Sequence, residues 1–284
     1  MSAIQNKIDF SVVVTVTNAN PNGDPLCENR PRENYDGYGE ISDVCIKRKI
    51  RNRLQDMGEK IFVQSDERCD DGAKSLAERL KNCSAVSGAP DKKAFVDAAC
   101  ETWTDVRSFG QLFAYKKDKE KEGLSVGIRG PVSIRQAVSV DRVNIIGMQI
   151  TKSVNGEGET DKLSSDRMGM KYYVDFATYV FHGSINCQLA EKTGFSDEDA
   201  EKIKQAQCTL FENDASSARP DGSMEVKRVY WYRHNAKTPS YSSAKVHGLL
   251  HIGLKKGVSK PSSFNDYVIS LDTLDGLTPE IFKG

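Results

Sequence analysis

The chain has 284 residues, with Lys+Arg and Asp+Glu equal at 40 each, 38% hydrophobic and 28% charged residues. That length holds one large domain or two ordinary ones, and it is enough for a sizeable core. No apolar stretch approaches the ~20 residues of a membrane helix, so a membrane partner is excluded and a cytoplasmic location is expected. The seven cysteines are spread singly with no Cys-x-x-Cys spacing, which signals neither a zinc site nor a redox pair.

In chain order, the β-branched run at 8–17 predicts a strand, and the short apolar segment within it lacks the flanks of a signal peptide. Asn20-Pro21-Asn22-Gly23-Asp24-Pro25 is dense in turn formers, and a Gly/Tyr/Asn-rich loop continues to about Glu40. Ser42 is a natural N-cap with Asp43 in the first turn, and the helix it opens runs to about Met57 on a stripe of Ile46, Ile50, Leu54 and Met57. Residues 60–64 read as extended, and 72–82 and 91–102 as helices. The span 60–130 reads as an inserted helical subdomain carrying a charged loop at Lys116–Gly123.

Gly130-Pro131 opens a strand-rich region. One strand is expected over Val132–Val140, another over Val143–Lys152, then a projecting loop or hairpin end over 154–170. A long strand is expected at 171–189, with Gly183 marking a bend or bulge. Ser196 caps a helix beginning Asp197-Glu198-Asp199; strands follow at 224–233 and 244–254, and a short one at 268–271. The order is that of a split β-α-β, ferredoxin-like or RRM-like α+β core with large insertions.

Charge is unevenly placed. Eight cations fall between Lys227 and Lys260 without an acid, and acids dominate Glu191–Glu225, which predicts a basic side and an acidic side. The densest cluster is Lys47-Arg48-Lys49-Ile50-Arg51-Asn52-Arg53, five cations in seven residues on the predicted helix. Lys47, Arg48, Arg51 and Arg53 lie off the apolar stripe, free to face solvent or a ligand. Concentrated cations in a charge-balanced chain point to a polyanion, held by its phosphates without base readout.

Further candidates are Asn20 and Asn22, whose turn offers backbone N–H groups to a phosphate. Arg129, framed by Gly127 and Gly130, is equally suited to clamp a phosphate or to pair with a core carboxylate. In Arg167-Met168-Gly169-Met170-Lys171, methionines wedge between bases while cations hold phosphates, or else fill an ordinary hairpin. Tyr230, Trp231 and Tyr232 either stack bases on an exposed sheet or fill the core as alternate strand residues.

Catalytic signals are weak. His247 and His251 lack the Glu of a zincin and sit in strand-like sequence; no Walker A run, nucleophile elbow or dinucleotide fingerprint occurs. Asp24 and Asp43 leave a metal-dependent endoribonuclease as the alternative. No catalytic residue, metal or cofactor is expected.

The stretch from Val13 through Asn20–Pro25, Pro31-Arg32 and Ile41–Asn52 resembles the N-terminal signature of the CRISPR-associated backbone subunit of type I Cascade, in its type I-C (Dvulg subtype) version. Gly130–Ile134, Met148–Ser153 and Met168–Lys171 support the same resemblance. It implies an RRM-like palm at 1–59 and 131–284, an inserted finger region at 60–130, and a projecting β-hairpin thumb at about 135–170. It also implies a non-catalytic, RNA-binding subunit that polymerises head to tail along the spacer of a CRISPR RNA. The guide is then presented for pairing with target DNA, so that base pairing reads the sequence. Implied partners are the RNA-processing, large PAM-recognising and small Cascade subunits and a recruited helicase-nuclease. The resemblance carries phosphate contact onto Lys47, Arg48, Lys49 and Arg51, and guide proximity onto Met168 and Met170. Replacing Lys47, Lys49 and Arg51 by Glu is expected to abolish assembly on RNA without unfolding the chain.

Overall fold

A computed structural model describes residues 2–114, 125–151 and 168–284. The charged run Lys116–Gly123, Arg167 and most of the 154–170 loop lie outside these residues. The chain begins with β1 (Ile8–Ala19), the short hairpin β2 (Gly23–Asp24) and β3 (Arg30–Pro31), then β4 (Tyr38–Ile41) and α1 (Asp43–Asp56). There follow α2 (Leu76–Asn82), α3 (Ser84–Ser87), α4 (Lys92–Thr102), α5 (Thr104–Phe109) and the hairpin β5 (Gly110–Ala114) with β6 (Ser125–Arg129). Next come β7 (Val132–Ile134), β8 (Ala137–Arg142), β9 (Ile145–Thr151) and β10 (Met168–Ile185), then α6 (Cys187–Thr193), α7 (Asp197–Cys208) and β11 (Met224–Arg233). The chain ends with α8 (Ser243–His247), β12 (Leu250–Leu254), β13 (Tyr267–Leu271) and β14 (Glu280–Phe282).

The fold is α+β. Its main sheet is antiparallel and runs β14-β11-β1-β10-β8-β4, with β7 and β9 also on β10. β1 is buried on both faces, which explains its unbroken β-branched run. Ile8, Phe10, Val12, Val14 and Val16 join the core shared with α1 (Ile46, Ile50, Leu54) and α7 (Ala200, Ile203, Ala206). Val13, on the other face, packs with Tyr230, Tyr232, Val246 and Leu249 under α8 and β12. A register shift at Val13/Val14 sets Lys227 out of the β1–β11 ladder, so Val226 and Val229 both face the helices.

Both helix starts follow from their caps. Ser42 accepts from Cys45 N, and Ser196 forms a capping box with Asp199. Residues 60–130 hold a second core in which Phe62 packs on Trp103 (centroids 4.6 Å) and Phe113 (5.1 Å).

The structure corrects several local expectations. No strand forms at 60–64. Val132–Val140 is two strands, β7 and β8, and β8 lies in the main sheet beside β4. Gly183 marks neither bend nor bulge: its ladder with β1 is continuous, and a side chain there would strike the Phe10 ring and the Ser133 carbonyl. The expected strand at 244–254 is a helical turn, α8, capped by Ser242, followed by β12. Tyr230, Trp231 and Tyr232 are buried, with Trp231 stacked on Phe10, so they fill cores rather than present rings to bases. The two-sided charge layout is also corrected. Arg233 pairs with Asp197 and Lys237 with Glu191, so the basic and acidic segments meet at these residues rather than lying wholly on separate sides.

Under α8 lies a polar cluster. Asp9 is fully buried and accepts from His234 Nε2 (2.7 Å) and Lys7 Nζ (3.2 Å). His247 Nε2 donates to Gly183 O (3.0 Å), and its ring stacks on His182 (centroids 4.9 Å), which bonds Ser11 Oγ. Burial, with His247 and Arg135 adding to it, pushes the His182 imidazole down to about 4, and burial lowers His247 as well. The unfolded chain binds these protons near pH 6.5, so the folded state loses stability as pH falls from 6.5 toward 4. Urea midpoints measured at pH 7 and pH 5 should therefore fall, and His182→Gln should flatten that slope. An unchanged slope would remove His182 as its source.

Candidate nucleic-acid interface

α1 carries the five cations, and none of them forms an open cationic face. Lys47 bonds Asp43 one turn back (2.9 Å), and Arg48 Nη1 donates to Val63 O (2.6 Å). Lys49 is only 4% exposed and is paired with Asp214; burial pushes its ammonium below the usual lysine range while Asp214 opposes that shift. Arg51 Nε bonds Asp105 Oδ2 (2.9 Å), and Arg53 Nε bonds Thr209 Oγ1 (2.8 Å). The run is free of acids in sequence, but the fold supplies carboxylates from the 105 and 214 regions. The internal partners of Arg51 and Arg53 correct the expectation that the off-stripe cations face outward, and Lys49, among the expected RNA-binding residues, is buried as well. Glu at Lys49 or Arg51 would set carboxylate against carboxylate, so the triple substitution would also unfold the chain.

A cleft of about 680 Å³ opens along α1, lined by Cys45, Arg48, Lys49 and Asn52 of that helix. Its cations are Arg48 and Lys49 from α1, Arg68 from the turn after residue 65, and Arg219 from the loop before β11. Arg68 reaches Asp56 (2.6 Å) and Asn213 O (2.6 Å), and Arg219 reaches Asp214 (3.3 Å). Ser65 Oγ in the cleft wall is buried with no partner among the described residues. Four cations face Asp214 and Glu67 in the lining and Asp56 beside Arg68, which leaves a small positive excess in a concave, polar site, a setting that attracts phosphate groups. Arg68 and Arg219 escaped the sequence reading because each is isolated in sequence; only tertiary folding adds them to α1.

The remaining candidates are dispersed. Asn20 is buried, donates to Asn29 O (2.6 Å) and holds the β2–β3 turn; its Oδ1 has no partner. Asn22 Oδ1 accepts from Ser42 N (2.9 Å), tying the turn to the start of α1. Arg129 is exposed at the end of β6, and no carboxylate pairs with it among the described residues. Met168, Met170 and Lys171 begin β10 on a hairpin with β9; Met168 and Met170 are exposed on one face, Met148 and Ile150 on the other. These last two were missed, although their alternation along β9 signals them. Asp24 bonds Arg32 and Leu26 N within its own turn, and Asp43 bonds Lys47. His247 and His251 do not share a site, because His251 is exposed and bonds Asp272 (3.0 Å).

A family profile described as "CRISPR-associated protein Cas7" matches residues 6–272. A Haloferax volcanii protein named "CRISPR-associated protein Cas7" is 28% identical over 266 residues, covering 87% of this chain and 76% of that protein. A chain of a solved "CRISPR RNA-guided surveillance complex, pre-nicking" superposes with a TM-score of 0.47 at 14% identity, over 84% of this chain and 81% of that one. A chain of another "CRISPR RNA-guided surveillance complex" gives 0.48 at 15% identity, over 83% and 72%.

Proposed function

From membership in the CRISPR-associated Cas7 family, to which this chain belongs, we propose that it is a CRISPR RNA-binding backbone subunit of a type I-C effector complex. The observation that carries RNA binding is the four-cation cleft along α1, which suits a phosphate backbone and offers no base-reading surface. The strand order β11-β1-β10-β8, with α1 and α7 on one face, supports an RRM-like palm. The second core of residues 60–130 supports the finger region, and the β9–β10 hairpin with its exposed methionines supports the thumb. In this reading the thumb displaces a guide base at intervals, apolar side chains filling the gap, and leaves the other bases open to target DNA. The subunit itself does not cut. Processing, PAM-reading and small subunits complete the complex, and a helicase-nuclease acts on the target.

The test is fluorescence anisotropy of the chain with single-stranded RNA across a salt series. Log affinity is expected to fall with log salt by roughly 0.7 per phosphate neutralised, with little dependence on sequence. Arg48→Gln and Arg68→Gln, which alter the cleft without leaving a buried charge unpaired, should each reduce that slope by roughly 0.7. Slopes that stay at the wild-type value would remove the cleft from the RNA path. Cleavage of the RNA on adding magnesium would favour the endoribonuclease instead.

A further inference from the structure

Two surface features at opposite ends of β8 are used by neither the RNA cleft nor the hairpin. The first is Tyr35, whose side chain is fully exposed at the tip of the turn between β3 and β4. The turn is rigid. Asn34 Oδ1 accepts from Asp36 N and Tyr38 N (both 3.0 Å), Gly37 N donates to Asn34 O (3.0 Å), and Gly37 takes a φ of +83°. An aromatic ring held out by a pre-ordered turn loses little entropy on docking, the property of an interface anchor. Its neighbour Asp36 is an exposed acid, while Glu33 is paired with Arg30, and the Asp36 carboxylate opposes a nucleic-acid partner and favours a cationic one.

The second feature is a groove of about 380 Å³ between the sheet and β12. Half-buried Val138, Val180, Leu250 and Ile252 line it, together with the polar Gln136, Ser139 and His182. Arg135 stands exposed at one end, and no carboxylate pairs with it among the described residues. The groove has the volume for a phenol ring, and its cation matches the Asp36 carboxylate beside Tyr35.

We propose that Tyr35 of one copy docks into the Val138–Ile252 groove of a second copy, with Asp36 meeting Arg135. Tyr38 pairs with Arg142, so the turn projects from the far end of β8, roughly 20 Å of extended chain from Arg135. Turn and groove are different patches on one chain, so the contact is heterologous and repeats as an open, head-to-tail assembly. This rests on the proposed polymerisation along RNA and assigns the contact that joins neighbouring copies.

The experiment uses the full chain, wild type and variants, in anisotropy titrations with two single-stranded RNAs, one long enough for a single copy and one for several. Sedimentation velocity without RNA runs alongside. Tyr35→Ser and Arg135→Glu change exposed side chains only. Each is expected to leave short-RNA affinity unchanged and to lower apparent affinity for the long RNA by about tenfold or more through lost cooperativity. The swap Asp36→Arg with Arg135→Asp is expected to restore it. Unchanged long-RNA binding in both single variants overturns the contact. A fall of about tenfold on the short RNA in Tyr35→Ser overturns it in favour of base stacking. If the wild type binds neither RNA, the RNA reading fails by itself, and sedimentation then decides: self-association lost in both single variants upholds the contact, and self-association unaltered or absent overturns it.

Discussion

Asp105→Ala is expected to lower the unfolding free energy by about 3–5 kcal/mol. Asp105 is fully buried at the first turn of α5. Its Oδ1 accepts from Phe62 N (2.7 Å), and its Oδ2 accepts from Val63 N (3.1 Å) and Arg51 Nε (2.9 Å). One carboxylate thus satisfies a guanidinium on α1 and two backbone donors of the segment that enters the second core. Alanine leaves all three without an acceptor, and an unmet buried N–H alone costs about 1–3 kcal/mol. Asp105→Asn keeps one carbonyl acceptor and should lose less. The two tryptophans make the effect local. Trp103 belongs to the second core and Trp231 to the main one. In a Trp231→Phe background, Trp103 fluorescence should report unfolding of the Asp105→Ala chain at clearly lower urea than in its parent. A midpoint within about 1 kcal/mol of the parent would show that water replaces the carboxylate and that Asp105 does not join the two cores.

The long elements were legible because period and caps agreed. β1 announced itself by β-branching, α1 by Ser42 and the Ile46-Ile50-Leu54 stripe, and α7 by Ser196 and three acids. The strand error at 244–254 has a physical source: Val246, Leu249 and Leu250 fit either period, and Ser242 as an N-cap outweighed the apolar run. Gly183 was read as a backbone irregularity because sequence carries no sign of the Phe10 ring that excludes a side chain there. Charge was the least legible feature. Five clustered cations on α1 suggested a free surface, yet Asp105 and Asp214, 54 and 165 residues away from their partners, turn two of them inward. The same folding brings Arg68 and Arg219 beside Arg48, so the cleft along α1 draws its cations from three segments and not from the run alone.

Lys49→Met and Asp214→Ala are expected to behave very differently although they break the same pair. Asp214→Ala strands a buried ammonium and should cost about 3–5 kcal/mol, whereas Lys49→Met removes the buried charge and leaves Asp214 with Arg219, and should cost far less. The double variant should recover most of the Asp214→Ala loss, since no uncompensated charge then remains in the interior. Urea unfolding of the four chains measures this coupling directly. Equal losses for the two single variants would mean that Lys49 reaches water when Asp214 is gone. The same four chains separate a framework lysine from a ligand. If Lys49 only supports the cleft wall, the folded double variant keeps the wild-type salt slope for RNA. If it contacts a phosphate, the slope drops by roughly 0.7 even where stability has been restored. Its depth and its internal carboxylate favour the framework role, and under the proposed RNA reading the phosphate contacts then fall to cations more accessible than Lys49, namely Arg48, Arg68 and Arg219.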